Sequence, residues 1–257
     1  TYTIKFLKYF KSLVPEKIRP LNYLTRRTIR MANGVIASGP FKDMKYINQA
    51  YCSSICPKLS GTYEKEIREV IVQLLKESFD SFIDIGSAEG YYTIGFAMFG
   101  NCKNILSFEC SEDARDLQFE LAKLNNVEKK IGLLGQCEHE ELRTALQGAD
   151  HNLILCDIEG YEHALLDLSK IPELARTTMV IECHNHVWDK MEESLRERFS
   201  ETHQAFSYLA KVHGDPQDYP FSNLYYRMMP EKYKDFPILD QRAAETSWIY
   251  LKPLKLN

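Results

Sequence analysis

The 257-residue chain lacks an uninterrupted apolar run near the roughly 18 residues that a membrane-spanning helix requires. It also lacks internal repeats and low-complexity tracts. With 44% hydrophobic and 26% charged residues, its composition excludes a disordered, collagen-like or small disulfide-stapled protein. The length corresponds to one large domain, or to one domain with a substantial appendage.

The seven cysteines lack the spacing of a metal site. Cys52 and Cys56 form a C-x3-C pair without a matching second pair, which is weak as a zinc pattern. The others lie within or beside strand-like segments: Cys102, Cys110, Cys137, Cys156 and Cys183. An odd number of mostly buried cysteines is typical of reduced thiols, so the sequence predicts a cytoplasmic protein.

Acidic residues are scarce at the start of the chain. Residues 1–46 contain ten Lys or Arg against only Glu16 and Asp43, a local charge of +8 that leaves −12 for the remainder. Because the body is acidic, we expect no nucleic-acid partner. Residues 1–14 place lysines between apolar residues at helical spacing, which favours either a peripheral membrane contact or docking on the acidic body or a second subunit.

From residue 80 onward, short apolar runs alternate with helical segments. This alternation predicts an α/β fold with a doubly wound, mostly parallel, seven-stranded Rossmann-like sheet and an antiparallel C-terminal edge. The predicted strands are 81–85, 104–108, 131–134, 153–156, 179–183, 206–212 and 247–251. The predicted helices are 64–77, 91–99, 113–124, 140–145, 162–168 and 187–199.

The chain is predicted to divide near residue 60. Residues 1–60 form a basic extension with a helical start and an irregular arm, and residues 61–257 form the α/β domain. That domain carries an aromatic-rich insertion at 213–246, whose Tyr225 and Arg227 we expect to contact an acceptor substrate. The alternative is that the insertion only covers an edge of the sheet.

The turn after the first predicted strand has the spacing D-x-G-x-x-x-G, beginning at Asp84. Gly86 permits a tight turn and close backbone approach, and Gly90 lets the next helix start near the strand with its free N–H groups facing a ligand. This spacing differs from the G-x-G-x-x-G of dinucleotide sites. A carboxylate suits an ammonium group better than a phosphate, so Asp84, Gly86, Ser87 and Gly90 are predicted to bind an amino-acid-like part of a cofactor.

The next two strand tips supply polar groups for a nucleoside. Glu109, at the tip of the second strand, can accept hydrogen bonds from both hydroxyls of a ribose. Gln136 and Cys137 follow the third strand, where we expect the amide to bind an adenine edge and the thiol to line the ring. The alternative for Glu109 is an ordinary exposed loop residue.

The tips of the fourth and fifth strands are rich in groups that transfer protons. We predict that Asp157, Glu159 and His184 orient and deprotonate an acceptor hydroxyl, because these tips open onto the substrate crevice of such a sheet. Glu162 and His186 are predicted to contact the acceptor. Glu162 is alternatively a first-turn acid that stabilises a helix.

A metal is not predicted. A divalent ion bridging Asp157 with His184 or Glu182 is the alternative, but three ligands at a recognisable metal spacing are not evident. Glu182 is alternatively a buried, paired acid.

Together these motifs resemble the FkbM-like methyltransferases, a class I family that depends on S-adenosylmethionine. The specific element is the D-x-E-G-x-E run from Asp157 to Glu162, and the resemblance extends to 61–64 and 180–184 within residues 60–212, and to 248–253. It implies that Asp84, Gly86 and Glu109 hold S-adenosylmethionine and that Asp157 faces the methyl group. It also implies O-methylation of a sugar, a glycan or a natural product, and an acceptor contact at Tyr63.

Two departures and two alternatives accompany this resemblance. Residues 87–89 differ from the family's commoner turn, and the insertion at 213–246 does not match the family. The alternatives are a dinucleotide-dependent enzyme, which the missing third glycine disfavours, and a non-catalytic adenosine-binding or partner-binding module.

Overall fold

The computed structural model describes residues 20–211, 214–221, 224–240 and 246–254. The helices are α1 Pro20–Ala32, α2 Ile55–Ser60, α3 Arg68–Leu74, α4 Tyr91–Phe99, α5 Glu112–Leu124, α6 His139–Leu146, α7 Glu162–Leu165, α8 Met191–Arg198 and α9 Leu224–Arg227. The strands are β1 Ser78–Ile85, β2 Asn101–Phe108, β3 Ile131–Leu134, β4 Asn152–Cys156, β5 Thr178–His184, β6 His203–Leu209 and β7 Thr246–Pro253.

These strands form one seven-stranded sheet in the order β3-β2-β1-β4-β5-β7-β6. Strands β1 to β5 run parallel, whereas β7 pairs antiparallel with both β5 and β6. This confirms the predicted fold class, including its antiparallel C-terminal edge. The strand order reverses between β1 and β4, and ligands of open α/β sheets bind at such a switch point, outside the carboxyl ends of the strands.

The strand cores fall where the sequence predicts them, and the ends differ by a few residues. The predicted helix over 64–77 is shorter than expected. Glu64 has a left-handed backbone with φ of 47°, which a helix cannot contain, and a 3-10 turn at Lys65–Ile67 precedes α3. The short run of α helix that remains ends at Leu74.

Both faces of the sheet are covered, as apolar parallel strands require. Alternate residues of β1 point to opposite faces, so Phe82 packs on Phe96 of α4 with ring centroids 4.1 Å apart. Ile83 belongs to the core on the other face, together with Leu142 of α6 and Leu195 of α8. The sheet is therefore packed between helices on both faces, which leaves the tips of its strands to form a site.

The described part of the basic extension packs on its own chain. Phe41 and Leu59 are fully buried in the same core as α4. Leu24 of α1 packs against Tyr219 and Tyr226 of the insertion. The division near residue 60 stays a prediction, and residues 1–14, where the membrane hypothesis arose, lie outside the described residues. Among the helices that the structure describes, none is long and apolar enough to cross a membrane.

Candidate functional site

A cleft of about 1020 Å³ opens at the carboxyl ends of β1, β2, β4 and β5. It lies at the switch point of the sheet, and its size is that of a site for a cofactor together with a small acceptor. One side, the β1–β2 wall, contains Asp84, Gly86 and Glu109. The facing side, the β4–β5 wall, contains Asp157 and His184.

Asp84 is the most buried acid of the β1–β2 wall, with 1% of its surface exposed. Its Oδ2 accepts a hydrogen bond from the hydroxyl of Thr93 at 2.5 Å, while its Oδ1 has no hydrogen-bond partner among the described residues. Burial raises the pKa of Asp84 to about 7. A cationic ligand would favour the ionised form, so this environment fits an ammonium group.

The two glycines of the turn have different roles. Gly86 has φ of 82°, and a Cβ there would overlap the carbonyl oxygen of Asp157, so glycine is required by the approach of the β4 tip. Gly90 is not among the cleft-lining residues; its Cβ would lie 2.7 Å from Gln118 of α5. The predicted cofactor contact of Gly90 is thereby corrected to a packing role. Ser87 lines the cleft and donates a hydrogen bond to Gln118 at 3.1 Å.

Glu109 is held with both carboxylate oxygens in place. Its Oε2 accepts the N–H of Ala88 at 2.9 Å, and its Oε1 accepts the N–H of Ser111 at 2.8 Å. The thiol of Cys110 also donates weakly to Oε1, at 3.6 Å, and Oε2 retains a further lone pair, so this carboxylate can still accept hydroxyl donors. With 8% of its surface exposed, Glu109 is not an ordinary exposed loop residue.

Gln136 and Cys137 line the cleft beyond Glu109. The amide of Gln136 is exposed and donates a hydrogen bond to Glu138. Burial raises the pKa of the Cys137 thiol to about 12, so it is protonated at neutral pH and serves as an apolar surface. This end of the cleft can receive a flat heterocyclic ring.

The β4–β5 wall brings the three predicted catalytic residues together. His184 Nε2 lies 3.6 Å from Asp157 Oδ1 and 3.4 Å from Glu159 Oε2. Burial alone would lower the pKa of His184, but the hydrogen bond with Glu162 and the charges of Glu162, Asp157 and Glu159 outweigh it and raise that pKa. The arrangement can accept a proton from a hydroxyl group placed in the cleft.

Glu162 does not contact the cleft, which corrects its predicted role in acceptor binding. It is fully buried at the start of α7. Glu162 therefore lies in the first turn of a helix, as the alternative interpretation predicts. Its Oε1 accepts the N–H of Ile158 at 3.0 Å and of Gly160 at 3.2 Å, and contacts His184 Nδ1 at 2.8 Å. Glu162 therefore lies outside the cleft and contacts both the loop after β4 and His184.

Three side chains of this wall also have the geometry of a cation site. Donor atoms of Asp157, Glu182 and His184 all lie within 4.8 Å of one another. Carboxylate oxygens and an imidazole nitrogen suit several divalent metals. The sequence names these three residues but gives them no recognisable metal spacing, because β4 and β5 are brought together only by the sheet. The predicted absence of a metal stays a prediction.

The remaining predicted acceptor contacts separate into two groups. Tyr63 and His186 line the cleft. Arg227 is exposed on α9 and is not among the lining residues, so its predicted contact is corrected, and the side chain of Tyr225 lies outside the described residues. The insertion contributes Asp240 to the cleft instead.

A buried ion pair behind the β1–β2 wall was missed by sequence reasoning. Lys58 Nζ lies 2.6 Å from Glu89 Oε1, and their side chains are 3% and 0% exposed. Tyr46 also donates to Glu89 Oε1, at 2.6 Å, and the N–H of Tyr51 donates to Oε2 at 3.1 Å. The pair joins the extension to the turn after β1. The available signal was Glu89 itself, a carboxylate in the turn after β1.

No protein-family model matches the chain, and no curated protein matches it significantly. Solved structures share the fold at low identity. Precorrin 8W decarboxylase of Methanobacterium thermoautotrophicum is 13% identical, with a TM-score of 0.48, covering 72% of this chain and 89% of that one. An rRNA methylase from Streptococcus thermophilus is 14% identical, with a TM-score of 0.46 and coverage of 71% and 91%. The B. subtilis m1A22 tRNA methyltransferase is 10% identical, with a TM-score of 0.44 and coverage of 71% and 63%.

The prediction that this protein has no nucleic-acid partner, which rested on its acidic composition, is wrong. The solved structures similar to this chain include tRNA and rRNA methyltransferases, so the acidic body gives no ground for excluding nucleic acid. Likeness at this level concerns the fold and leaves the acceptor to experiment.

Proposed function

We propose that this chain is an S-adenosylmethionine-dependent methyltransferase, similar to the FkbM-like enzymes, that methylates a hydroxyl oxygen of a sugar, a glycan or a natural product. The observation that carries the proposal is the pairing of two unlike walls in one cleft. The β1–β2 wall offers carboxylates suited to an ammonium group and a ribose, and the β4–β5 wall offers groups that take a proton.

The residues of the β1–β2 wall fit the cofactor. The buried Oδ1 of Asp84, which lacks a partner among the described residues, would receive the ammonium group. Glu109 would hold the ribose hydroxyls, with Gln136 and Cys137 around the adenine. When bound, S-adenosylmethionine supplies a methyl group that is already activated by its sulfonium.

The remaining work falls to the β4–β5 wall. Asp157 can accept a hydrogen bond from the acceptor hydroxyl and so orient its oxygen, and His184 can take the proton. Glu159, exposed at the mouth of the cleft, would help Asp157 and His184 to orient and deprotonate the acceptor hydroxyl. Such a base contributes about 10²–10⁴-fold, and misalignment by itself costs about 10²-fold.

Calorimetric titration with S-adenosylhomocysteine and, separately, with NAD tests the cofactor. We expect the first to bind and the second to give no heat above buffer. Binding of NAD in its place would support the dinucleotide alternative. Absence of binding for both would leave a partner-binding module.

Transfer of a labelled methyl group tests the acceptor. The panel contains glycans, hydroxylated small molecules, tRNA and rRNA, each with magnesium and with a chelator because of the donor trio in the β4–β5 wall. We expect label on a hydroxyl of a glycan or small molecule. Label confined to RNA would overturn the acceptor class while leaving the cofactor assignment intact. Binding of S-adenosylhomocysteine without transfer to any of them would favour a non-catalytic module.

A further inference from the structure

The contacts of Glu162 converge on one oxygen. Its Oε1 receives the N–H groups of Ile158 and Gly160 and lies 2.8 Å from His184 Nδ1. Because two backbone donors already point at this oxygen, it acts as an acceptor, and the third contact must also come from a donor. His184 Nδ1 therefore carries a proton.

The backbone of the β4–α7 loop is shaped to make these contacts. Glu159 has φ of 55° and Gly160 has φ of 106°, two consecutive left-handed residues that turn the loop amides toward Glu162. A Cβ on Gly160 would lie 2.6 Å from the side chain of Val187, so the loop also requires glycine there. The D-x-E-G-x-E run thus places its first acid in the cleft and its last acid behind the loop.

The proton on Nδ1 decides what Nε2 can do. In a neutral imidazole only one nitrogen carries a proton, so Nε2 presents a lone pair. That nitrogen faces Asp157, Glu159 and Glu182 at 3.4–3.9 Å. The ring of His186 lies 5.7 Å away, between centroids.

We infer that Glu162 is a positioning residue that fixes the tautomer of His184, so that Nε2 is the nitrogen able to take a proton in the cleft. The tautomer assignment rests on the contacts alone. Its consequence for the reaction rests on the proposed function.

Nitrogen-15 NMR of histidine-labelled protein tests the tautomer without an acceptor. The His184 signals are assigned by their loss in His184→Gln. In the parent, at a pH where the ring is neutral, we expect a protonated Nδ1 and an unprotonated Nε2. Glu162→Ala should lose this preference, whereas Glu162→Gln should keep it because its amide oxygen can still accept.

Glu182→Gln is the matched control, since Glu182 is also a buried carboxyl side chain but faces Nε2. It should leave Nδ1 protonated. With an acceptor in hand, Glu162→Ala should lower kcat by about 10²-fold, with the affinity for S-adenosylhomocysteine within about twofold, and Glu162→Gln should recover most of the rate.

A neutral parent ring with its proton on Nε2 would overturn the inference, as would an unchanged spectrum in Glu162→Ala. If that variant does not fold, the parent spectrum and the Glu162→Gln spectrum still decide. If the parent shows the expected tautomer but does not bind S-adenosylhomocysteine, the proposed function is contradicted and the tautomer inference stands.

Discussion

The two walls of the cleft both place acids at strand tips, but they surround those acids differently. On the β1–β2 wall, Glu109 is fixed by backbone N–H groups of adjacent loops, and Asp84 is fixed by one hydroxyl. On the β4–β5 wall, Asp157 and Glu159 lie around the imidazole of His184. The first arrangement suits holding a ligand still, and the second suits moving a proton.

The walls are also braced by different means. The turn after β1 is tied to the extension by the buried Lys58–Glu89 ion pair, whereas the β4–α7 loop is tied to β5 through Glu162. A defect in the first brace should therefore appear in stability and cofactor binding. A defect in the second should appear in turnover.

The largest effect is expected from breaking the Lys58–Glu89 pair. Lys58→Met leaves Glu89 buried without its cation, which typically costs about 3–5 kcal/mol of unfolding free energy. Lys103→Met is the control, because Lys103 and Asp80 are also 2.6 Å apart but Lys103 is 78% exposed. Denaturant unfolding should show a large loss in the first variant and almost none in the second. Equal losses would show that burial does not separate the two pairs.

The next effect concerns the proposed ribose contact of the β1–β2 wall. Glu109→Ala should weaken binding of S-adenosylhomocysteine by about 2–4 kcal/mol, since two charge-assisted hydrogen bonds are lost. Glu109→Gln should lose less because one acceptor oxygen remains. Glu112→Ala, an exposed acid at the start of α5, is the control for calorimetry. Unchanged affinity in both Glu109 variants would move the nucleoside to another part of the cleft.

The β4–β5 wall is probed by Asp157→Asn, which should lower the transfer rate by at least about 10²-fold while cofactor affinity changes little. Asp150→Asn, just before the opposite end of β4 and 94% exposed at its side chain, should leave single-turnover transfer unchanged. Near-normal turnover in Asp157→Asn would make this carboxylate structural. The orienting role would then pass to Glu159 or His184.

The sequence predicted the two walls unequally well for a physical reason. Asp84 and Glu109 each lie at the tip of their own strand, so strand recognition alone places them at the cleft. The contact of Glu162 with His184 requires the pairing of β4 with β5 and the shape of a left-handed loop, which no spacing encodes. Gly90 was misjudged because a helix-starting glycine can face a neighbouring helix as readily as a ligand.

The missed Lys58–Glu89 pair follows from the same limit. Its partners belong to segments that the sequence analysis placed on opposite sides of a predicted boundary at residue 60. Local patterns place residues on elements, but they do not show which elements meet.

The smallest expected effect is on the free energy of unfolding when Asp84 is replaced, and it separates the role of Asp84 in stability from its role in ligand binding. Its folded pKa of about 7 lies above its ordinary value of 3.8, so the folded state binds this proton more tightly than the unfolded state. The unfavourable contribution of Asp84 is therefore absent below pH 3.8, grows as pH rises and is complete above pH 7. Asp84→Asn removes this unfavourable contribution, although its hydrogen bond from Thr93 becomes a weaker, neutral one. We therefore expect the free energy of unfolding to rise by about 1–2 kcal/mol at pH 8 and by less at pH 5.5.

Asp80→Asn is the control on the same strand, because the hydrogen bond from Lys103 lowers the pKa of Asp80 to about 2. This variant should give no increase in the free energy of unfolding. Urea unfolding at the two pH values measures both variants. If Asp84→Asn also loses S-adenosylhomocysteine binding, the buried carboxylate is retained for its ligand at the expense of stability; a variant that is no more stable at pH 8 would show that Asp84 is not destabilising in the folded protein.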